Sequence, residues 1–364
     1  MIEGYATSKG TKRFVDRLNV KEMHVRTING LYLTSVGMGT YLGRASKEED
    51  EMIINAIKIS LGGGAMNVID TAINYRSQRS ERAIGKALNE MINDGKISRD
   101  EVFISSKNGY LTDDADLNMD IWKYVQSRLI NTGIINPEDI SSGYHCMKIS
   151  YLEDQLERSR RNLDLECIDL MYLHNPMESQ VYDVGREKFM EMLRDVFEFY
   201  EKKREEGKIR YYGLATWNSF RVKEDHIEYL NLYDLVNMAK SVREDHGFRF
   251  IQLPFNITMN EALTLKNQSI NGDKFNIIDA AVRLGISIFT SVPLMQGRLL
   301  KMIRYDRLTP ALLAIQFARS TGVIPLVGQK REEHVRENIK IAEIEPFDSK
   351  EFKELFGYDM SSLL

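Results

Sequence analysis

The stretch V-I-D-T-A-I-N-Y, residues 68 to 75, runs from a short apolar segment into a carboxylate, Asp70, and reaches a phenol, Tyr75, five residues later in what must be a loop. Two other apolar segments end in complementary groups: V-F-I-S-S-K closes on Lys107, and C-I-D-L-M-Y-L-H-N-P carries His174. A fourth, near the C-terminus, closes on Gly328 and the basic pair Lys330 and Arg331. An acid, a phenol, an amine and an imidazole gathered at one place make a proton-transfer site. A free tyrosine titrates near pH 10, too high for efficient exchange near neutrality. An ammonium about 4 Å away favours the phenolate by about 4 kcal/mol at an effective dielectric of 20, or roughly three pKa units. Lys107 is therefore expected to tune Tyr75, and Asp70 to keep Lys107 charged in a desolvated site. An imidazole at the end of its strand can donate a hydrogen bond to a carbonyl oxygen set against the phenol.

These residues need strands that end together. Apolar runs of about five residues, rich in Val and Ile, alternate along the chain with amphipathic stretches at helical spacing. The expected strands are Ser35 to Gly39, Met66 to Asp70, Val102 to Lys107, Ile168 to His174, Tyr211 to Ala215, Phe250 to Leu253, Ser287 to Ser291 and Val323 to Val327. Helices are expected over Lys47 to Leu61, Glu81 to Asn93, Leu152 to Leu163, Glu187 to Glu206, Ile277 to Leu284, Pro310 to Ser320 and Glu332 to Ile341, several stopped by glycine. Eight such units imply a closed parallel (β/α)8 TIM barrel, because parallel strands need crossovers that cover both faces of the sheet. A doubly wound sheet is disfavoured: Gly37, Gly39 and Gly43 miss the dinucleotide-loop spacing, and no acid follows at the ribose position. Residues 22 to 34 alternate around Asn29-Gly30 and form an N-terminal β-hairpin, while residues 1 to 20 read as an extension with a single helical turn. One domain spanning residues 1 to 364 follows. Three long connections, Asn108 to Tyr151, Asn175 to Arg186 and Phe255 to Phe275, fall after strands, on the catalytic mouth, where they would shape a substrate pocket.

The motifs resemble the aldo-keto reductase family over nearly the whole chain. The resemblance is carried by G-M-G-T-Y at Gly37 to Tyr41, D-T-A-I-N-Y with S-E-R-A-I-G-K-A-L at Ser80 to Leu88, and the strand ending I-S-S-K at Lys107. It continues in I-D-L-M-Y-L-H-N-P at Ile168 to Pro176, G-K-I-R-Y-Y-G-L-A-T-W-N at Gly207 to Asn218, V-P-L-M-Q-G-R-L at Val292 to Leu299 and R-E-N-I-K at Arg336 to Lys340. The resemblance implies that Asp70, Tyr75, Lys107 and His174 are the catalytic tetrad, with Tyr75 as general acid and a nicotinamide cofactor as hydride donor. It places Gly39 and Thr40 under the cofactor and Gln252 near the carboxamide. Pro293, Leu294, Gln296, Gly297 and Arg298 would follow the pyrophosphate. Gly328, Gln329, Lys330, Arg331, Glu337 and Asn338 would surround the adenosine. Two adjacent cations, Lys330 and Arg331, suit a 2′-phosphate, so NADPH is favoured, with NADH as the other nicotinamide donor open to the site. The chain departs from the family at Ala215 and Thr216, where serine and asparagine are common, near Ser291, where a stacking aromatic is common, and at His334, where arginine is common. The substrate is expected to be a small-molecule carbonyl or alcohol contacted by Tyr41, Tyr110 and Trp217.

Other classes fit less well. A net charge of -4, with lysines and arginines interleaved with acids, gives no electrostatic reason to expect nucleic acid or an anionic membrane as partner. No apolar run approaches the 18 residues of a membrane helix, and no leader pattern opens the chain, which places it in the cytoplasm. His145 and Cys146 in the long third loop are better read as packing than as a metal or nucleophile pair, and no metal site is expected. Taken singly, Asp70 suits a cap, Tyr75 a packing position and Lys107 a solvated strand end. A sensor or regulatory subunit that keeps the cofactor and turns over slowly is the alternative function, and a metal-dependent barrel hydrolase or isomerase is a third.

Overall fold

The computed structural model describes residues 1–360. A hairpin comes first, β1 (Val25–Ile28) paired antiparallel with β2 (Leu31–Thr34). Asn29 and Gly30 between them both have positive φ, 49° and 78°, as a two-residue hairpin turn twisted with its strands requires. The remaining strands are β3 (Gly37–Gly39), β4 (Val68–Asp70), β5 (Phe103–Asn108), β6 (Ile168–His174), β7 (Ile209–Ala215), β8 (Phe248–Pro254), β9 (Gln268–Ile270), β10 (Asp273–Phe275), β11 (Ser287–Ser291) and β12 (Ile324–Gly328). All but β9 and β10 form one closed parallel barrel, in the order β11, β12, β3, β4, β5, β6, β7, β8 and back to β11. Every expected barrel strand is present within a few residues of its expected ends.

Phe103, Phe250 and Phe289 pack ring against ring inside the barrel, with centroids 5.4 to 6.0 Å apart. Leu31 and Leu33 of β2 and Ala6 join the same buried cluster, so the hairpin and the N-terminal extension stop the end of the barrel opposite the strand C-termini. The extension is more ordered than its polar sequence suggests. Its helix runs Ser8–Arg17, with Thr7 capping the Gly10 N–H and Arg13 and Arg17 donating to Glu101 at 3.0 and 2.7 Å. The partners that fix this helix lie some 85 residues away, at Asp100 and Glu101, out of reach of any local pattern.

The long connections also carry structure. Residues 108–151 hold a short helix from Ile121 and an apolar cluster of their own around Leu111, Leu129, Ile135 and Tyr151. The connection after β6 is the helix Pro176–Val184, with proline in its first turn, and that after β8 contains the antiparallel pair β9 and β10. Two further helices, Leu232–Val242 and Ser349–Phe356, have sequence signals in their N-caps, Asn231 and Asp348, each accepting from a backbone N–H of the first turn. Among the described residues no helix is long and apolar enough to cross a membrane.

Helices Arg79–Asn93 and Ile149–Leu163 approach closely at Gly85, where a methyl group would stand 2.7 Å from the carbonyl oxygen of Asn162 and 2.8 Å from that of Leu163. Because both obstacles are backbone, Gly85→Ala is expected to destabilise the protein by about 1–3 kcal/mol through overpacking. A urea midpoint equal to the wild type would show that the two helices part freely.

Candidate active site

Asp70 is the last residue of β4 and Lys107 lies in the adjacent strand β5, both buried at the C-terminal mouth of the barrel. The Lys107 ammonium donates to Asp70 Oδ2 at 2.5 Å and to the Thr71 carbonyl at 2.7 Å. Asp70 Oδ1 accepts from Ser105 Oγ at 2.7 Å and from Gln252 Nε2 at 3.0 Å. The carboxylate is thus gripped by three donors from two strands, Lys107 and Ser105 of β5 and Gln252 of β8, which compensates its burial. Gln252, expected at the carboxamide, therefore also braces Asp70. Ser105 was readable from the sequence: it stands two residues before Lys107 on one strand, so both side chains face the barrel interior.

Tyr75 lies in the loop after β4, with its ring 4.8 Å from the Lys107 nitrogen and edge-on to Tyr41 at 5.0 Å and to His174 at 6.0 Å. The next three residues, Arg76, Ser77 and Gln78, all have positive φ, a costly run for residues other than glycine. Arg76 holds it. Its buried guanidinium donates to the carbonyls of Arg44 (2.8 Å) and Ser46 (3.1 Å) and to Asp50 (2.5 Å), tying the Tyr75 loop to the chain that follows β3.

Burial pushes the Tyr75 phenol above its ordinary value, and Lys107 opposes the shift without reversing it. This differs from the expected downward tuning: with the phenol packed among Tyr41, Lys107 and His174, desolvation outweighs the cation. Burial alone would lower Lys107, yet Asp70 and Tyr75 together raise it, so the ammonium stays charged. His174 is driven well below the usual histidine range by burial first and then by Lys107 and His145, and is neutral near pH 7.

Asp70, Tyr75 and His174 open onto a cavity of about 600 Å³, within the usual range for small-molecule sites, while Lys107 lies buried behind its wall. Tyr41, Tyr110 and Trp217 line it beside Asp70, Tyr75 and His174. The Tyr110 hydroxyl accepts from Asn175 Nδ2 (3.2 Å) and lies 3.1 Å from Ser179 Oγ, while its ring packs edge-on to His174 and to His145. Of the residues expected to contact a cofactor, Gly39, Thr40 and Gln252 lie on the wall, as do Pro293, Leu294, Gln296 and Gly297, and Gly328, Gln329, Lys330 and Arg331. Arg298, Glu337 and Asn338 do not. Asn338 instead donates to Gln329 Oε1 at 3.0 Å, and Gln329 donates to Ser60 Oγ at 2.9 Å, a brace behind the wall. Asn74 and Asn175 also line the wall and were not singled out from the sequence, whereas Thr216 lies there at the position where the family commonly has asparagine.

The wall suits a dinucleotide. At Gly39 an added Cβ would stand at ordinary contact distance, 3.7 Å, from the Leu326 carbonyl oxygen. Thr216 Oγ1 and His174 Nδ1 are buried polar atoms without a partner among the described residues. Three basic side chains, Lys330, Arg331 and His334, gather on one part of the wall.

Behind Tyr110, His145 is wholly buried, with Nδ1 3.0 Å from Gln180 Nε2, and burial pushes it down to about 3. His24, buried with Nε2 2.7 Å from the Ala65 carbonyl and Nδ1 2.9 Å from Ser35 Oγ, is pushed down to about 4, again chiefly by burial. The unfolded chain protonates both near pH 6.5, whereas the folded chain does not until those lower values. Below pH 6.5 the unfolded state therefore binds more protons, and stability falls as the pH drops. Between pH 6 and pH 5 the two residues together are expected to remove roughly 2–3 kcal/mol. Urea midpoints measured at pH 7, 6 and 5 check this, and a flat profile would contradict it.

The sequence and the fold agree with known proteins. The chain is 21% identical over 354 residues to aldo-keto reductase family 1 member C1 of Macaca fuscata fuscata, covering 94% of this chain and 93% of the relative. It is 22% identical to the human family 1 member C2, covering 93% and 92%. The fold superimposes on the holo form of an aldo-keto reductase from Bacillus halodurans with a TM-score of 0.62 at 17% identity, over 92% of this chain and 95% of that one. A Klebsiella pneumoniae aldo/keto reductase crystallised with NADP and acetate gives 0.60 at 17%, over 92% and 96%. The profile of the aldo/keto reductase family matches residues 35–358, and the chain belongs to that family.

Proposed function

We propose that the protein is a single-domain NADPH-dependent oxidoreductase that interconverts a carbonyl of an aldehyde, ketone or sugar and its alcohol. The observation that carries this reading is the Lys107 ammonium, fixed on Asp70 at 2.5 Å beneath the Tyr75 ring, with neutral His174 beside it on the cavity wall. Family membership supports it, as does the NADP or NADPH bound in two Klebsiella pneumoniae structures of the same fold.

A nicotinamide cofactor supplies the hydride when bound. Gly39, Thr40, Gln252 and Thr216 are the residues that would hold its reactive end, and Lys330 and Arg331 its phosphate end. The rest is the work of the chain. Tyr75 gives its phenolic proton to the carbonyl oxygen as negative charge develops there. Lys107 stabilises the phenolate that remains, and Asp70, fixed by Ser105 and Gln252, keeps Lys107 protonated. As a neutral imidazole, His174 keeps one ring N–H to donate to the same oxygen, and so orients the carbonyl. In the oxidative direction the phenolate takes the proton back from the alcohol.

The test is fluorescence titration with NADPH and NADH, followed by NADPH oxidation against aldehydes, ketones and sugars. NADPH binding with turnover is expected. Binding without turnover across the whole panel would favour a cofactor-sensing subunit, and no binding of either nucleotide would overturn the reading.

A further inference from the structure

The first turn of the helix Lys47–Gly62 carries three acids, Glu48, Glu49 and Asp50. Asp50 is fixed by Arg76 and Arg79 at 2.5 and 2.7 Å, so the turn is rigidly set. Its neighbour Glu49 reaches the cavity wall, where Oε2 stands 2.5 Å from the Lys330 ammonium. The two side chains are only 19% and 24% exposed, unlike a freely hydrated surface pair. The backbone leaves room for them: a Cβ on Gly43, which has a φ of 120°, would stand 2.6 Å from Glu49 Oε2 and 3.4 Å from Lys330 Nζ. Arg331 shares this part of the wall and makes no ion pair among the described residues, while His334 approaches only Glu333, at 3.8 Å.

A phosphate monoester arriving here meets Arg331 unencumbered, but meets Lys330 already neutralised by a carboxylate that stays in place. We infer that Glu49 is a specificity-determining residue: by holding Lys330 it weakens the hold on a 2′-phosphate, and so narrows the preference for the phosphorylated dinucleotide over the unphosphorylated one. The inference rests on the reading of the cavity as a nicotinamide dinucleotide site. Glu49 has no reason to affect a dinucleotide that lacks the phosphate, because among the described residues its partner at the cavity is the cation that the phosphate would use.

Titration calorimetry with NADP+ and NAD+ tests it on the wild type, Glu49→Gln, Lys330→Gln and the double variant. Glutamine keeps the shape of Glu49 and removes its charge. Glu49→Gln is expected to tighten NADP+ binding about tenfold and to leave NAD+ within about twofold, as removal of one partly shielded like charge implies. In the Lys330→Gln background the same substitution is expected to lose most of that gain. An equal change for both nucleotides overturns the inference, as does weaker NADP+ binding in Glu49→Gln, which would make Glu49 a guide that presents Lys330 to the phosphate. A wild type that binds both nucleotides with selectivity unmoved by Glu49→Gln removes the inference alone, whereas a wild type that binds neither removes the functional reading and the inference together.

Discussion

Replacing Tyr75 by phenylalanine is expected to lower kcat for carbonyl reduction by roughly 10²–10⁴-fold, the range for loss of a positioned general acid, while NADPH affinity stays within about twofold. The substitution removes one oxygen and keeps the ring that packs edge-on to Tyr41 and His174. Lys107 keeps its bonds to Asp70 and the Thr71 carbonyl, so the polar floor beneath the ring is undisturbed. What disappears is the hydroxyl of the ring that the ammonium faces at 4.8 Å. Because burial sets the free phenol above its ordinary value, Tyr75 is held protonated before reaction and is poised as an acid. Stopped-flow measurement separates the steps: an unchanged binding phase with a slowed NADPH oxidation phase is the expected outcome. Wild-type turnover in Tyr75→Phe would take the proton away from this residue and leave His174 as the remaining donor.

How far the sequence discloses such a site depends on how local its causes are. The barrel strands were legible because each is a short apolar run bounded by glycine or by a helix pattern, and strand ends place residues at the mouth without further information. Asp70, Lys107 and His174 are located by that alone. Tyr75 is harder, since its position depends on a loop whose next three residues take positive φ under the grip of Arg76 on Arg44, Ser46 and Asp50. No residue in Arg76-Ser77-Gln78 signals such a backbone, and the sequence located the phenol only as standing five residues past Asp70 in a loop. The helix Ser8–Arg17 was hidden for a similar reason, its arginines finding their acids only after the chain has folded. Wall residues were legible where motif and strand end coincide, as at Gly39 and Gly328. Asn338 sits one turn too deep, bonded to Gln329 behind the wall. The direction of the Tyr75 shift was not legible at all, because a sequence shows which charges are near in type but not how much water they lose.

Lys107→Met is expected to abolish measurable reduction and also to destabilise the fold by about 3–5 kcal/mol, because it strips its paired cation from a buried carboxylate. Asp70 would keep only the neutral donors Ser105 and Gln252. These two losses have different causes and can be separated. Adding Asp70→Asn to Lys107→Met removes the stranded charge, so the double variant is expected to recover most of the lost urea midpoint while reduction stays absent. Asp70→Asn alone gives the complementary case. There the ammonium keeps the Thr71 carbonyl but loses its carboxylate, burial drives its pKa down, and activity is expected to fall as the pH rises through the lowered value. A double variant no more stable than Lys107→Met would mean that Lys107 supports the fold by packing, not by charge. Reduction retained in Lys107→Met would be the graver result, since a phenol raised by burial, with no cation beneath it, has nothing to stabilise the phenolate it must become.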